Sequence, residues 1–177
     1  MIFSETDLSG AFLIEPEYLG DERGFFARIW CRREFADNSL STELVQSSIS
    51  FNKVRGTLRG MHYQAAPYEE DKLVRCTRGS IHDVIIDLRP DSPTFLEHGE
   101  AGLTADNRMM IYVPKGFAHG FLTLQDATEV TYSMSEYYEP DYARGVRWDD
   151  RAFGIEWPDE VRVISERDRT YPDFKLP

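Results

Sequence analysis

Ser80–Leu88 reads Ser-Ile-His-Asp-Val-Ile-Ile-Asp-Leu, and its alternation is that of a β-strand with two buried faces. Ile81, Asp83, Ile85 and Asp87 share one face, and His82, Val84, Ile86 and Leu88 share the other. A strand apolar on both sides belongs in the interior of a packed sheet. Outward from it, turn signals recur roughly every 8–12 residues. They fall at Leu19-Gly20-Asp21, Arg55-Gly56, Arg78-Gly79-Ser80, Pro90-Asp91-Ser92-Pro93, Asp106-Asn107, Lys115-Gly116 and Gln125-Asp126. Short runs rich in Val, Ile, Phe and Tyr lie between them, a rhythm that predicts an all-β sandwich or barrel. Thr128–Glu136 alternates too, with Val130, Tyr132 and Met134 facing one way and Thr and Ser the other. Met109–Val113 and Gly120–Leu124 flank a turn and predict a strand pair. Helix signals are weak, at Arg32–Asn38 and Pro158–Arg162, a turn or two each. No repeat, low-complexity run or linker interrupts residues 1–177, which predicts a single domain.

Net charge is −11, from 31 acidic against 20 basic residues, which argues against nucleic acid or an anionic membrane as partner. No apolar run approaches the roughly 20 residues that span a bilayer. The opening Met-Ile-Phe-Ser-Glu-Thr-Asp lacks a basic stretch followed by an apolar one, so no signal peptide is expected. Cys31 and Cys76 obey no metal or redox spacing, and reduced thiols in a cytoplasm are the expectation. Against this acidity the basic residues of the first half stand out: Arg23, Arg28, Arg32, Arg33, Arg55, Arg59, Lys72, Arg75 and Arg78. A local reversal of sign is what an anionic ligand needs, although many of these residues fit an ordinary solvated surface.

Two segments place a histidine among glycines: Lys-Val-Arg-Gly-Thr-Leu-Arg-Gly-Met-His-Tyr-Gln at Lys53–Gln64, and Pro-Lys-Gly-Phe-Ala-His-Gly-Phe at Pro114–Phe121. In a strand, Leu58, Gly60, His62 and Gln64 share a face, which points His62 inward either as a satisfied core residue or as an acid–base group. Gly56 and Gly60 are costly in a strand unless backbone or ligand approaches closely. A bulge at Gly60 would bring Arg59 and His62 to one side. Lys72 opens a strand, where a cation aimed into a cup stabilises an oxyanion and one aimed outward is merely solvated. Tyr132 reads as a core tyrosine or as a proton donor opposite a base. Asp83, inward on its strand, needs a partner, and His62 is the expected one.

Pro114-x-Gly116-x-x-His119 resembles the second half-motif of metal-binding cupins. The first half calls for two histidines one residue apart, and here the place reads His62-Tyr63-Gln64. A mononuclear site wants three protein ligands with a position left open, so no metal is expected.

Taken together, a longer set of residues closely resembles the dTDP-4-dehydrorhamnose 3,5-epimerase family. The set comprises Arg23-Gly-Phe-Phe26, Thr57–Gln64, Lys72-Leu-Val-Arg75, Ser92-Pro-Thr-Phe95, Gly116–Phe121, Tyr137-Tyr138, Arg144–Asp150, Gly154-Ile-Glu-Trp-Pro158 and Ser165-Glu-Arg-Asp168. The likeness runs in order from about Arg23 to Asp168. It implies a cupin-type jelly roll, a homodimer with exchanged N-terminal strands, and no metal or cofactor. It also implies inversion at C3 and/or C5 of a nucleotide-linked 4-keto-6-deoxy sugar through an enolate. By that resemblance His62 is the base, held by Asp168 with Asp83 a further partner. Tyr132 is the acid on the far face, and Lys72 meets the C4 oxygen. Arg23 and Arg59 would bind the diphosphate, Gln46 and His119 the nucleotide and sugar, and Phe26 and Tyr138 the base. Arg167, beside Asp168, joins the substrate-binding set.

Three departures fall where nucleotide or sugar is expected. Arg28 follows Gly24-Phe-Phe-Ala27 where thymidine-specific members usually have Glu. Gln46-Ser47-Ser48 replaces Gln-Asp-Asn, followed by one extra residue before Gly56. Ala143 replaces a Glu. The expected proton-transfer residues are all kept, which suggests the same chemistry on another base or another keto sugar. Two other readings are a metal-dependent cupin isomerase or oxygenase and a non-catalytic sugar-nucleotide binder. The missing histidine pair opposes the first, and retention of both His62 and Tyr132 opposes the second.

Overall fold

A computed structural model describes residues 1–176; Pro177, the last residue of the expected domain, lies outside the described residues. Among the described residues thirteen strands run in chain order: β1 (Ile2–Glu5), β2 (Phe12–Glu15), β3 (Tyr18–Asp21), β4 (Gly24–Ala27), β5 (Gln46–Asn52), β6 (Leu58–Gln64), β7 (Lys72–Arg78), β8 (Ser80–Asp87), β9 (His98–Thr104), β10 (Met110–Val113), β11 (Phe117–Thr123), β12 (Thr128–Met134) and β13 (Ala143–Gly145). Two short α-helices join them, α1 (Arg32–Asp37) and α2 (Glu166–Arg169), with one 3-10 turn at Pro140–Tyr142. The strands form a six-stranded sheet, β1-β2-β10-β7-β12-β5, facing a five-stranded sheet, β13-β6-β11-β8-β9, with β3–β4 as a separate hairpin. This is the all-β architecture that the turn rhythm predicts, in the jelly-roll form that the family resemblance implies.

Strand β8 behaves as its sequence requires. Ile81 and Ile85 enter the core between the sheets with Val74, Phe121 and Val130. On its other side Val84 and Ile86 pack with Met61, Ala118, Val146 and Phe153 beneath the C-terminal segments. Its end is fixed at Asp87, fully buried and bonded to Arg89, Ser92 and Thr94. Burial alone would raise the Asp87 pKa, but those donors outweigh it and bring it down to about 2.

The expected pairing of Met109–Val113 with Gly120–Leu124 does not form. Strand β10 pairs with β2 and β7 in one sheet, whereas β11 pairs with β6 and β8 in the other. The Pro114–Gly116 turn is therefore a crossing between sheets. The helix expected at Arg32–Asn38 is present as α1. The one expected at Pro158–Arg162 is absent: Arg162 N and Val163 N donate to Gly56 O at 2.8 and 3.1 Å, and Val163 O accepts from Leu58 N. That backbone is committed to pairing with the start of β6 and cannot close a helical turn. Gly56 permits this approach at φ +80°, because a Cβ there would lie 2.7 Å from Glu160 O.

Candidate active site

His62 and His119 are directly opposed on β6 and β11, and two residues on, Phe121 is opposed by Arg59. Two residues of β11 thus span three of β6, a bulge centred on Gly60. Arg59 and His62 consequently open onto the same side. A Cβ at Gly60 would lie 2.5 Å from Gly120 Cα, so the two strands meet there through glycine backbone alone.

Both side chains line a cavity of about 580 Å³ between the sheets, together with Gln46, Lys72, His119, Tyr132 and Tyr138. A larger groove of about 930 Å³ runs along the N-terminal segment, but it contains no histidine and none of these residues. His62 and His119 stand on the five-stranded wall, and Lys72 and Tyr132 on the six-stranded wall. An imidazole and a phenol therefore face the cavity from opposite sheets.

Each of these groups has a built support. His62 Nε2 lies 2.7 Å from Asp168 Oδ1, and its Nδ1 makes no hydrogen bond among the described residues. Asp168 is delivered by α2, whose first turn is capped by Ser165 Oγ accepting from Asp168 N at 3.1 Å. Only 4% of Asp168 is exposed. Burial pushes its pKa up, but the bond and charge of His62, the Gly60 N–H and the Ser165 contact more than offset this and hold it below the usual carboxylate range. The carboxylate stays ionised and orients the imidazole. Tyr132 is raised above the ordinary phenol value, chiefly by burial against the opposing pull of Ser50 and Arg59. A phenol so shifted keeps its proton at neutral pH.

Lys72 is 8% exposed and thus far from the solvated strand-start alternative. Its Nζ donates to His62 O at 3.0 Å and pairs with Glu70 at 3.1 Å. An ammonium has three donors, so one remains for a ligand. Gln46 Oε1 accepts from Tyr138 N at 3.1 Å and fixes the loop that carries that ring.

Two expectations need correction or qualification. Asp83 does not bond His62; its Oδ2 lies 2.8 Å from His119 Nε2. The sheet order explains this, because β11 runs between β6 and β8 and interposes His119. Arg23 and Phe26 do not line this chain's cavity. They sit on the β3–β4 hairpin, where Arg23 pairs with Asp21 and Phe26 is 68% exposed. Arg167 lines an adjoining space of about 240 Å³ that shares His62, Glu70 and Tyr138 with the main cavity. Glu70 also lines the cavity, a residue that the sequence did not single out. Its spacing of two from Lys72 in extended chain was the available signal, since such residues share a face. Among the described residues no group of three His, Cys, Asp or Glu side chains is arranged to hold a metal ion.

Of the three departures, Arg28 pairs with Glu34 outside the cavity, and Ser47 Oγ bonds Ser133 Oγ at 2.8 Å. Ser48 lines the main cavity, and Ala143 lines the adjoining one.

Comparison with known proteins places this geometry. The model of the dTDP-4-dehydrorhamnose 3,5-epimerase family matches residues 5–175. A curated relative of that name from Methanothermobacter thermautotrophicus is 44% identical, over 98% of this chain and 94% of its own. The crystal structure of a protein of that name from Bacillus anthracis, with TDP and PPi bound, is 40% identical with a TM-score of 0.94, covering 98% of this chain and 99% of the other. A Legionella pneumophila dTDP-6-deoxy-D-glucose-3,5-epimerase, solved in complex with dTDP-4-keto-L-rhamnose, is 32% identical with a TM-score of 0.87, covering 94% and 89%.

Proposed function

The chain belongs to the dTDP-4-dehydrorhamnose 3,5-epimerase family, and from that premise we propose a two-sided proton transfer on its substrate, with His62 as base and Tyr132 as acid. The enzyme is an isomerase of nucleotide-linked 4-keto-6-deoxy sugars, acting at C3 and/or C5. The observation that carries the proposal is the placement of His62 and Tyr132 on facing sheets across one cavity.

The ketone acidifies the C–H bonds beside it. His62, oriented by Asp168, takes that proton, and the charge moves to the C4 oxygen. The free donor of Lys72 meets that oxygen as the charge develops, a contribution of about 10²–10³-fold for one such donor. Tyr132, kept protonated by burial, returns a proton from the other wall and the carbon inverts. Arg59 takes the diphosphate, as forked guanidinium donors suit phosphate oxygens. Gln46, His119, Tyr138 and Arg167 hold sugar and base. No step requires a cofactor.

Arg23 and Phe26 complete the site from a second copy. A homodimer with exchanged N-terminal strands brings the partner hairpin to the cavity mouth. Exposed Leu19 and Phe26 on the hairpin, and Ile49 on the open edge of β5 beside the cavity, support that contact. Mixing two inactive variants, Arg23→Ala and His62→Asn, is expected to restore activity in hybrid dimers. Mixtures that stay inactive although hybrids form would place Arg23 outside the partner's site. No helix among the described residues is long and apolar enough to cross a membrane, and the cytoplasm is the proposed location.

Incubation with 4-keto-6-deoxyglucose linked to dTDP, CDP, GDP or UDP, followed by NMR, tests the function. Inversion at C3, C5 or both is expected with at least one nucleotide, and four unchanged sugars would contradict it. Ser48 and Ala143, the two departures that face cavities, are where a changed base or sugar would be accommodated. Clear preference for dTDP would leave only the sugar to differ.

A further inference from the structure

Asn52 closes β5 and is 2% exposed. Its Nδ2 donates to Thr128 O and Ser50 O, each at 3.3 Å. With the amide donors committed to carbonyls, Oδ1 must turn the other way, and it accepts from Arg59 Nε at 2.7 Å. Arg59 lines the cavity, and its two terminal nitrogens make no hydrogen bond among the described residues. Elsewhere among the described residues arginines pair with carboxylates: Arg23 with Asp21, Arg28 with Glu34, Arg55 with Asp159, Arg89 with Asp87, Arg147 with Asp149 and Arg162 with Glu160. The cavity arginine instead leans on a neutral amide. A carboxylate would fix the guanidinium equally well but cancel the charge that an anion seeks.

We infer that Asn52 is a positioning residue for the anion subsite: it orients the Arg59 guanidinium toward the diphosphate of the substrate without neutralising it. This rests on the reading of Arg59 given above. Binding otherwise has to immobilise a long flexible side chain, so pre-orienting it is worth about three- to tenfold in affinity. The gain falls on ligands with phosphate and is absent for those without it.

The test is calorimetric titration of the tightest binder among dTDP, CDP, GDP and UDP, and of its nucleoside. Asn52→Ala is expected to weaken the diphosphate about three- to tenfold and to leave the nucleoside unchanged. Arg59→Lys keeps the charge but loses Nε–H, so adding Asn52→Ala to it should cost nothing further. Asn52→Asp should weaken the diphosphate as well, since it orients the guanidinium but cancels its charge. If Asn52→Ala does not fold, Asn52→Ser enters the same cycle. Equal losses in both Arg59 backgrounds, or an equal loss for the nucleoside, would make Asn52 merely structural and overturn the inference. Unchanged diphosphate affinity in Arg59→Ala would instead overturn the assignment of Arg59 itself.

Discussion

The His62→Asn variant is expected to lose turnover by a factor of about 10²–10⁴, the usual contribution of a general base, while keeping its fold. Asparagine is chosen because it keeps a polar amide on the side of Asp168, where alanine keeps none. That carboxylate is almost wholly buried and takes its short bond from His62. His62→Ala removes the base equally but strands a buried charge, which costs several kcal/mol when the partner is simply deleted. Comparable activity loss in both variants, with a lower melting temperature in the alanine variant alone, separates chemistry from support. Wild-type turnover in either variant would remove His62 from the base position.

Tyr132→Phe is expected to divide the reaction in two. Only the hydroxyl is removed, and the ring keeps its packing beside His119 and Phe121, at centroid distances of 6.3 and 6.5 Å. The opposing His62 still takes the proton and can return it to the same face. Solvent hydrogen should therefore continue to enter the carbon beside the ketone, while inversion falls by about 10²–10⁴-fold. Exchange and inversion falling together would deny Tyr132 the acid role.

Much of this site can be read in the chain, for reasons that also mark where reading stops. Alternation in Ser80–Leu88 and Thr128–Glu136 depends only on the period of a strand, so the faces of Asp83, Ile85 and Tyr132 follow directly. The cost of glycine in a strand likewise pointed to the Gly60 bulge that joins Arg59 to His62. Alternation says nothing of which strand lies alongside. Asp83 consequently finds His119 and not His62, and β10 and β11 part into different sheets across their turn. The Pro158–Arg162 segment has helical composition but spends its amides on Gly56. The helix that matters comes just after it, announced by Ser165 three residues before Asp168. Asn52 carries no motif, and the role proposed for it exists only once β5 lies beside β12.

Running the wild-type reaction in deuterium oxide, with the product read carbon by carbon by NMR, tests the two-sided transfer most directly. Deuterium is expected at every carbon that inverts, because the proton taken by His62 is not the one delivered by Tyr132. An inverted carbon that still carries protium would contradict it.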